Sequence, residues 1–246
     1  MPAKRRVDLL LVERGLAPSR ARAQALVLGG KVFLGERRID KAGTELEASA
    51  ELTVREGERF ASRGGYKLLG ALEALSCEVS GTTCADVGAS TGGFTDCLLQ
   101  RGARKVYAID VGHGQLAHKL VSDPRVVVMD RTNARHLDRS HFPESLDLVV
   151  VDASFISLEK LLPAIRSWLG AGARLLAMVK PQFEVGREEA RRHRGVIRDQ
   201  AVRSAAIERV LESVRASGFQ VLGGADSEVP GPKGNVEYFV LAARTG

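Results

Sequence analysis

Two apolar runs in this sequence end on residues able to do acid–base chemistry. Leu146 to Val151 closes on Asp152, and Leu175 to Val179 closes on Lys180, with Pro181 stopping the second run at once. A lysine that ends a buried segment is costly unless it is paired or exposed. One explanation is a surface salt bridge with Asp152, and the other is a cation placed for reaction. The reaction it suits is attack by a poor nucleophile such as a hydroxyl. That attack needs a base to take the proton or a fixed cation to stabilise charge developing on oxygen. Lysine does either, while neighbouring carboxylates orient it and favour its charged form.

A second feature supplies a possible reaction partner. The segment Ala85-Asp-Val-Gly-Ala-Ser-Thr-Gly-Gly-Phe94 follows a strand-like run and opens a helix-like one. Such a turn brings backbone N–H groups close to a ligand. Its glycines, Gly88, Gly92 and Gly93, sit around Ser90 and do not spell the dinucleotide pattern G-x-G-x-x-G, and Asp86 stands just ahead of them. Loop N–H groups suit a carboxylate and Asp86 suits an ammonium, a pairing that favours S-adenosylmethionine over a dinucleotide. Asp110 and Asp130 end the next two strand-like runs, where the carboxyl ends of parallel strands border a ligand crevice. The first is placed to accept both ribose hydroxyls and the second the adenine amino group.

These residues need a scaffold that delivers them to one edge. Strand patterns at 83–87, 106–111, 126–130, 146–152 and 175–180 alternate with helix patterns at 93–101, 115–121, 158–169 and 200–217. Alternation of this kind predicts an α/β fold, a parallel sheet covered on both faces. The last strand patterns, 219–222 and 236–242, are joined by the Gly-Pro-rich stretch 230–234 and predict an antiparallel edge. Ahead of this region lies a different rhythm. A helix is predicted from Val7, stopped by Gly15, and a second over Arg20 to Leu28 with Ser19 as its N-cap. A hairpin around Gly35-Glu36 and a short strand at 51–54 complete a small α+β module. The boundaries read as a module over 1–58, a connector over 59–65 whose Gly64-Gly65 pair breaks structure, and a larger domain over 66–246.

Charge distinguishes the two parts. The first 41 residues hold ten Lys or Arg against four Asp or Glu, which accounts for the whole formal net charge of +6. That points to a polyanionic partner for the N-terminal module. No apolar run approaches the roughly 20 residues of a membrane span, and the basic N-terminus leads into no signal core, so the expected location is the cytoplasm with no membrane partner. Cys77, Cys84 and Cys97 form no C-x-x-C pair and the five histidines have no metal-ligand spacing, so no disulfide and no metal is expected. Five arginines and His193 crowd 187–198, either a segment that closes over a bound polyanion or a mobile loop.

Four separated motifs carry a resemblance. Lys67 in Ser62-Arg-Gly-Gly-Tyr-Lys67, Asp152 in Val151-Asp-Ala-Ser-Phe-Ile-Ser157, Lys180 in Val179-Lys-Pro-Gln-Phe-Glu184 and Glu237 in Gly231-Pro-Lys-Gly-Asn-Val-Glu237 resemble the Lys-Asp-Lys-Glu tetrad of FtsJ-type ribose methyltransferases. The surrounding wording is similar to the TlyA family, which joins an alpha-L RNA-binding domain to an FtsJ-like domain. The resemblance covers nearly the whole chain and implies a Rossmann-like S-adenosylmethionine methyltransferase that modifies a 2'-hydroxyl of ribosomal RNA, with cytidine as target. It implies Lys180 as base, Lys67 and Glu237 holding the hydroxyl, and Asp152 bordering substrate and cofactor. It places Gly92, Phe94, Asp110 and Asp130 at the cofactor. Ser19-Arg20 and Gly30-Lys-Val32 resemble the alpha-L signature, so Arg5, Arg6, Ser19, Arg20, Arg22, Lys31 and Arg63 are the expected RNA contacts, on ribosomal RNA or ribosomal subunits. Two other readings accompany this one: a ribosome-assembly or RNA-binding factor without turnover, and a membrane-active lysin, since members of the family have been labelled hemolysins.

Overall fold

The computed structural model describes residues 4–55, 59–154 and 156–246, without the side chain of Arg187. The chain divides into two compact units, Met1–Arg59 and Phe60–Gly246. The expected module end near Glu58 lies outside the described residues.

The first unit contains β1 (Lys4–Arg6), α1 (Val7–Glu13), α2 (Arg20–Leu28), β2 (Val32–Leu34), β3 (Arg37–Arg38), β4 (Glu45–Glu47) and β5 (Leu52–Val54). β2 is the centre of a three-stranded sheet, with β3 and β5 on either side. The Ser19 hydroxyl accepts from the Arg22 N–H at 3.2 Å, the expected cap of α2. Val7, Leu10, Leu11, Leu26, Val27, Val32 and Leu52 share one small core. β1 also pairs with β4, a two-stranded pairing outside the sequence expectation because strands of three residues are too short for alternation to signal them.

The second unit begins with α3 (Gly64–Ala74). There follow β6 (Thr83–Val87), α4 (Gly93–Gln100), β7 (Lys105–Ile109), α5 (His118–Val121), β8 (Val126–Met129), β9 (Leu146–Val151), α6 (Leu162–Trp168), β10 (Leu169–Val179), α7 (Pro181–Glu184), α8 (Arg187–Arg192), α9 (Gln200–Ala216), β11 (Phe219–Asp226) and β12 (Tyr238–Arg244). The strand order is β11-β12-β10-β9-β6-β7-β8. β6 to β10 are mutually parallel, and β12 runs antiparallel between β10 and β11, so the last two strands form the antiparallel edge that was expected.

β9 is buried on both faces, and its residues alternate accordingly. Val149 and Val151 join the core beneath α6 and α9, whereas Leu148 and Val150 join the one beneath α3 and α4. Cys77, Cys84 and Cys97 are all buried as free thiols.

Several expectations need correction. Gly64 and Gly65 do not break structure; they start α3, and Phe60 of the expected connector is buried in the core of the second unit. A Cβ on Gly65 would lie 2.3 Å from the Phe60 ring, so glycine here serves close packing. The helix expected over 115–121 is formed only at His118–Val121. The pattern over 158–169 resolves into a 3-10 turn at Leu158–Lys160 and α6, and Leu169 already belongs to β10. The 187–198 segment is a short helix followed by a turn, with Ile197 buried against Val185 and Ala206.

Candidate active site

The carboxyl ends of the parallel strands deliver the site. Val87 pairs with Val151 in the β6–β9 register, which places Gly88 beside Asp152, and the Asp152 N–H donates to Val87 O at 2.9 Å. Val179 pairs with Tyr238 across β10 and β12, so Lys180 and Glu237, each one residue beyond, emerge at the same edge. The reversal of order between β6 and β9 is the topological switch point at which open α/β sheets bind ligands.

Two cavities meet there. One of about 420 Å³ is lined by Ser62, Arg63, Lys67, Phe94, Lys180, Gln182, Phe183 and Glu237, among others. A second of about 460 Å³ is lined by Asp110, Val111, Gln115, Thr132, Asn133 and Ile156, among others. Gly88, Ser90, Asp152 and Ser154 border both. Gly88 adopts φ +87°, and a Cβ there would sit 2.6 Å from Asp152 O, so only glycine lets the two strand ends close up.

Four of the ionisable side chains at the first cavity form two pairs. Lys67 Nζ donates to Glu237 Oε1 at 2.9 Å, with both residues buried. Lys180 Nζ is paired with Asp152 and donates to Ser154 Oγ at 2.8 Å. Burial raises the Asp152 carboxyl above its ordinary value, against the downward pull of Lys180 and Lys67. Lys67 reaches this position because Gly93, Ser62 and Gly65 lie in contact: a Cβ on Gly93 would come within 2.2 Å of Ser62 Oγ and 2.9 Å of Gly65 N. That contact seats the start of α3 against the start of α4, and Lys67 lies on the buried face of α3.

The loop residues are held by Asp110. Its carboxylate accepts from Ser90 N at 2.8 Å and Gly112 N at 2.7 Å, and a carboxylate has further lone pairs to offer the second cavity. Phe94 is buried beside Phe239, and Gly92 caps α4 in the left-handed region with φ +94°. Three expected cofactor residues, Gly92, Asp86 and Asp130, are on neither lining. Asp86 is fully buried and its Oδ2 accepts from Thr95 Oγ1 at 2.6 Å; burial pushes its carboxyl up to about 7. Asp130 accepts from Gly114 N at 2.7 Å and touches His113 Nδ1, so it shapes the 112–115 turn while Thr132 and Asn133 form the wall. Ser154, Gln182, Gln115 and Asn133 were not singled out from the sequence. Their one legible signal is position, since Ser154 and Gln182 each follow a strand-ending charged residue by two.

Among the expected RNA contacts, Arg20 and Arg22 are exposed on α2, and Arg63 lines the first cavity. Arg6 and Arg20 both donate to the buried Asp8, Arg5 pairs with Glu13, and Lys31 is half-buried. No group of three or more His, Cys, Asp or Glu among the described residues is arranged to hold a metal, and none of their helices is long and apolar enough to cross a membrane.

Comparison with known proteins agrees with both units. Residues 60–244 match the FtsJ-like methyltransferase family and residues 5–52 match the S4 domain. The chain is 46% identical over 242 residues to the 16S/23S rRNA (cytidine-2'-O)-methyltransferase TlyA of Mycobacterium tuberculosis, covering 98% of this chain and 90% of that one. It is 36% identical to Hemolysin A of Brachyspira hyodysenteriae, covering 95% and 97%. A solved structure of a hemolysin-named protein from Streptococcus thermophilus superposes with a TM-score of 0.74 at 39% identity, covering all of this chain and 90% of that one.

Proposed function

The chain belongs to the TlyA family, an FtsJ-like methyltransferase domain preceded by an S4 domain, and from that premise we propose that it methylates a cytidine 2'-hydroxyl in ribosomal RNA using S-adenosylmethionine. The observation that carries this reading is the junction of the two cavities. The Lys180–Asp152 and Lys67–Glu237 pairs face the first, and Asp152, Ser154, Gly88 and Ser90 join it to the second.

The residues present fit the methyl donor. The second cavity has the size range of a cofactor site, and Asp110 retains acceptor capacity for ribose hydroxyls. Val111 and Ile156 supply apolar walls for a base, and Thr132 and Asn133 supply polar atoms for its edge. When bound there, the donor supplies an activated methyl group on a positively charged sulfur.

The chain's own contribution is alignment and proton handling. Lys180 is placed to receive the proton of the 2'-hydroxyl, whose oxygen would take the methyl group that leaves the donor's sulfur. Ser154 and Asp152 fix the direction of the lysine arm. Lys67, held by Glu237, stabilises negative charge developing on the oxygen. By holding the donor beside the target hydroxyl, the residues shared by the two cavities would supply much of the rate through alignment.

The S4 unit supports RNA as the partner through exposed Arg20 and Arg22, with Arg5, Arg6, Ser19 and Lys31 nearby in the same unit, while Arg63 stands at the mouth of the first cavity. Such contacts bind phosphate without reading sequence. The test is mass spectrometry of rRNA from unmodified ribosomal subunits incubated with protein and S-adenosylmethionine. Lys180→Ala should lower transfer at least about 100-fold while leaving cofactor binding intact. Undiminished transfer would reject Lys180 as the base, and no transfer by the unaltered protein to either subunit would reject the function.

A further inference from the structure

Two of the four sequence motifs end on residues that the ion pairs of the site leave unused. Ser157 closes the motif that carries Asp152, and Glu184 closes the one that carries Lys180. They meet in the fold. Glu184 Oε2 accepts from the Ser157 hydroxyl at 2.8 Å, and Glu184 Oε1 accepts from the Leu158 N–H at 3.0 Å. Leu158 opens the 3-10 turn, and the side chain of Ser157, at the N-cap position, does not cap it. The first N–H groups of a helical turn have no partner within the turn, and here a carboxylate from α7 supplies one. Hydrogen bonds to a carboxylate are roughly twice as strong as those between neutral groups.

The place of this clamp ties it to the chemistry. Between β9 and the 3-10 turn the chain carries Asp152 and Ser154, the two partners of Lys180, and Ile156, which walls the second cavity. At its start this stretch is held to the sheet by the Asp152 N–H on Val87 O. Among the described residues, Ala153, Ser154 and Ile156 make no backbone hydrogen bond, so the next anchor is Glu184. Glu184 ends the single turn of α7, which starts directly after Lys180. Lys180 is therefore joined to Ser154 from two sides: directly through its Nζ, and through α7, Glu184 and Ser157. Glu184 lines neither of the two large cavities, so it can act only through this loop.

We propose that Glu184 is a positioning residue for methyl transfer: by clamping Ser157 and Leu158 it sets where Asp152 and Ser154 hold the Lys180 amine. The role rests on the proposed methyltransferase reading, which makes Lys180 the proton acceptor. Misplacing a reacting group by about 1 Å costs on the order of 100-fold in rate.

The experiment is single-turnover methyl transfer to ribosomal subunits at saturating S-adenosylmethionine, read as a rate constant and an amplitude. Glu184→Ala should lower the rate constant roughly 10- to 100-fold and leave the amplitude unchanged. Glu184→Gln should restore most of the rate, because its amide oxygen still accepts from the Leu158 N–H while its NH2 donates to the Ser157 hydroxyl oxygen. In a Lys180→Ala background Glu184→Ala should cost little more, since no amine is left to position. A fall in amplitude alone would mean lost folded protein and would overturn the assignment. So would a Glu184→Gln variant as slow as Glu184→Ala, or losses that multiply in the double variant. If Glu184→Ala does not bind S-adenosylmethionine, Ser157→Ala removes one of the two bonds and should slow transfer by roughly 3- to 10-fold; an unchanged rate constant there would equally overturn it. No transfer by the unaltered protein defeats the methyltransferase reading itself, whereas normal transfer by the Glu184 and Ser157 variants defeats only the clamp.

Discussion

Replacing Asp86 with asparagine should change how stability depends on pH, because this buried acid titrates where most carboxylates are fully ionised. Asp86 has no exposed surface, its Oδ2 is bonded to Thr95, its Oδ1 has no hydrogen-bond partner among the described residues, and burial lifts its carboxyl to about 7 from 3.8. The folded chain therefore holds a proton between those values that the unfolded chain has released. The stabilisation is complete below pH 3.8 and is lost as pH rises through about 7. A shift of roughly three units at about 1.36 kcal/mol each sets a ceiling of about 4 kcal/mol, of which about 2–3 kcal/mol falls between pH 5 and 8. The amide of the Asp86→Asn variant keeps an acceptor for the Thr95 hydroxyl and does not ionise. The variant should thus gain about 2–3 kcal/mol relative to the unaltered protein on going from pH 5 to 8. Urea unfolding followed by the fluorescence of Trp168 reads this directly, since it is the chain's single tryptophan and is fully buried in the same unit. A difference between the two proteins that stays constant over that pH range would show that Asp86 ionises normally and refute the burial reasoning.

Asp110→Asn should weaken S-adenosylmethionine binding roughly 10- to 100-fold, the loss expected for a hydrogen bond to a charged acceptor, while transfer at saturating cofactor falls far less. Calorimetric titration decides this, and an unchanged affinity would remove Asp110 from the cofactor site. In the S4 unit, the Arg6 guanidinium beside Asp8, aided by Gln24 and Arg20, holds that carboxyl well below the usual range. The stabilisation is present above the ordinary carboxylate range and is lost as pH falls through the depressed value. Asp8→Ala should accordingly speed hydrogen exchange of α1 and α2 amides at pH 7 and make little difference in strong acid, where equal protection at both pH values would sink the idea.

The alternation of strand and helix, the two-part division of charge, and the four motif residues were legible in sequence because each depends on local pattern. Apolar period distinguishes strand from helix, and Pro181 marks the end of β10 without any tertiary contact. Glycine was harder to read. The pair Gly64-Gly65 carries the same letters as a turn, and only the proximity of Phe60, Ser62 and Gly93 reveals that it lets two helices touch. Asp86 and Asp130 illustrate the same limit: both lie near strand ends, but strand alternation and turn geometry decide whether such a side chain faces a cavity, a buried threonine or a neighbouring loop.

By itself the sequence determined the fold class, the family and the identity of the lysines and carboxylates, because apolar periodicity and motif wording are written along the chain. Tertiary structure alone decided how those charges are partnered. Lys67 and Glu237 are 170 residues apart, and they meet because α3 seats on α4 while β12 inserts beside β10 in a register that leaves Glu237 next to Lys180.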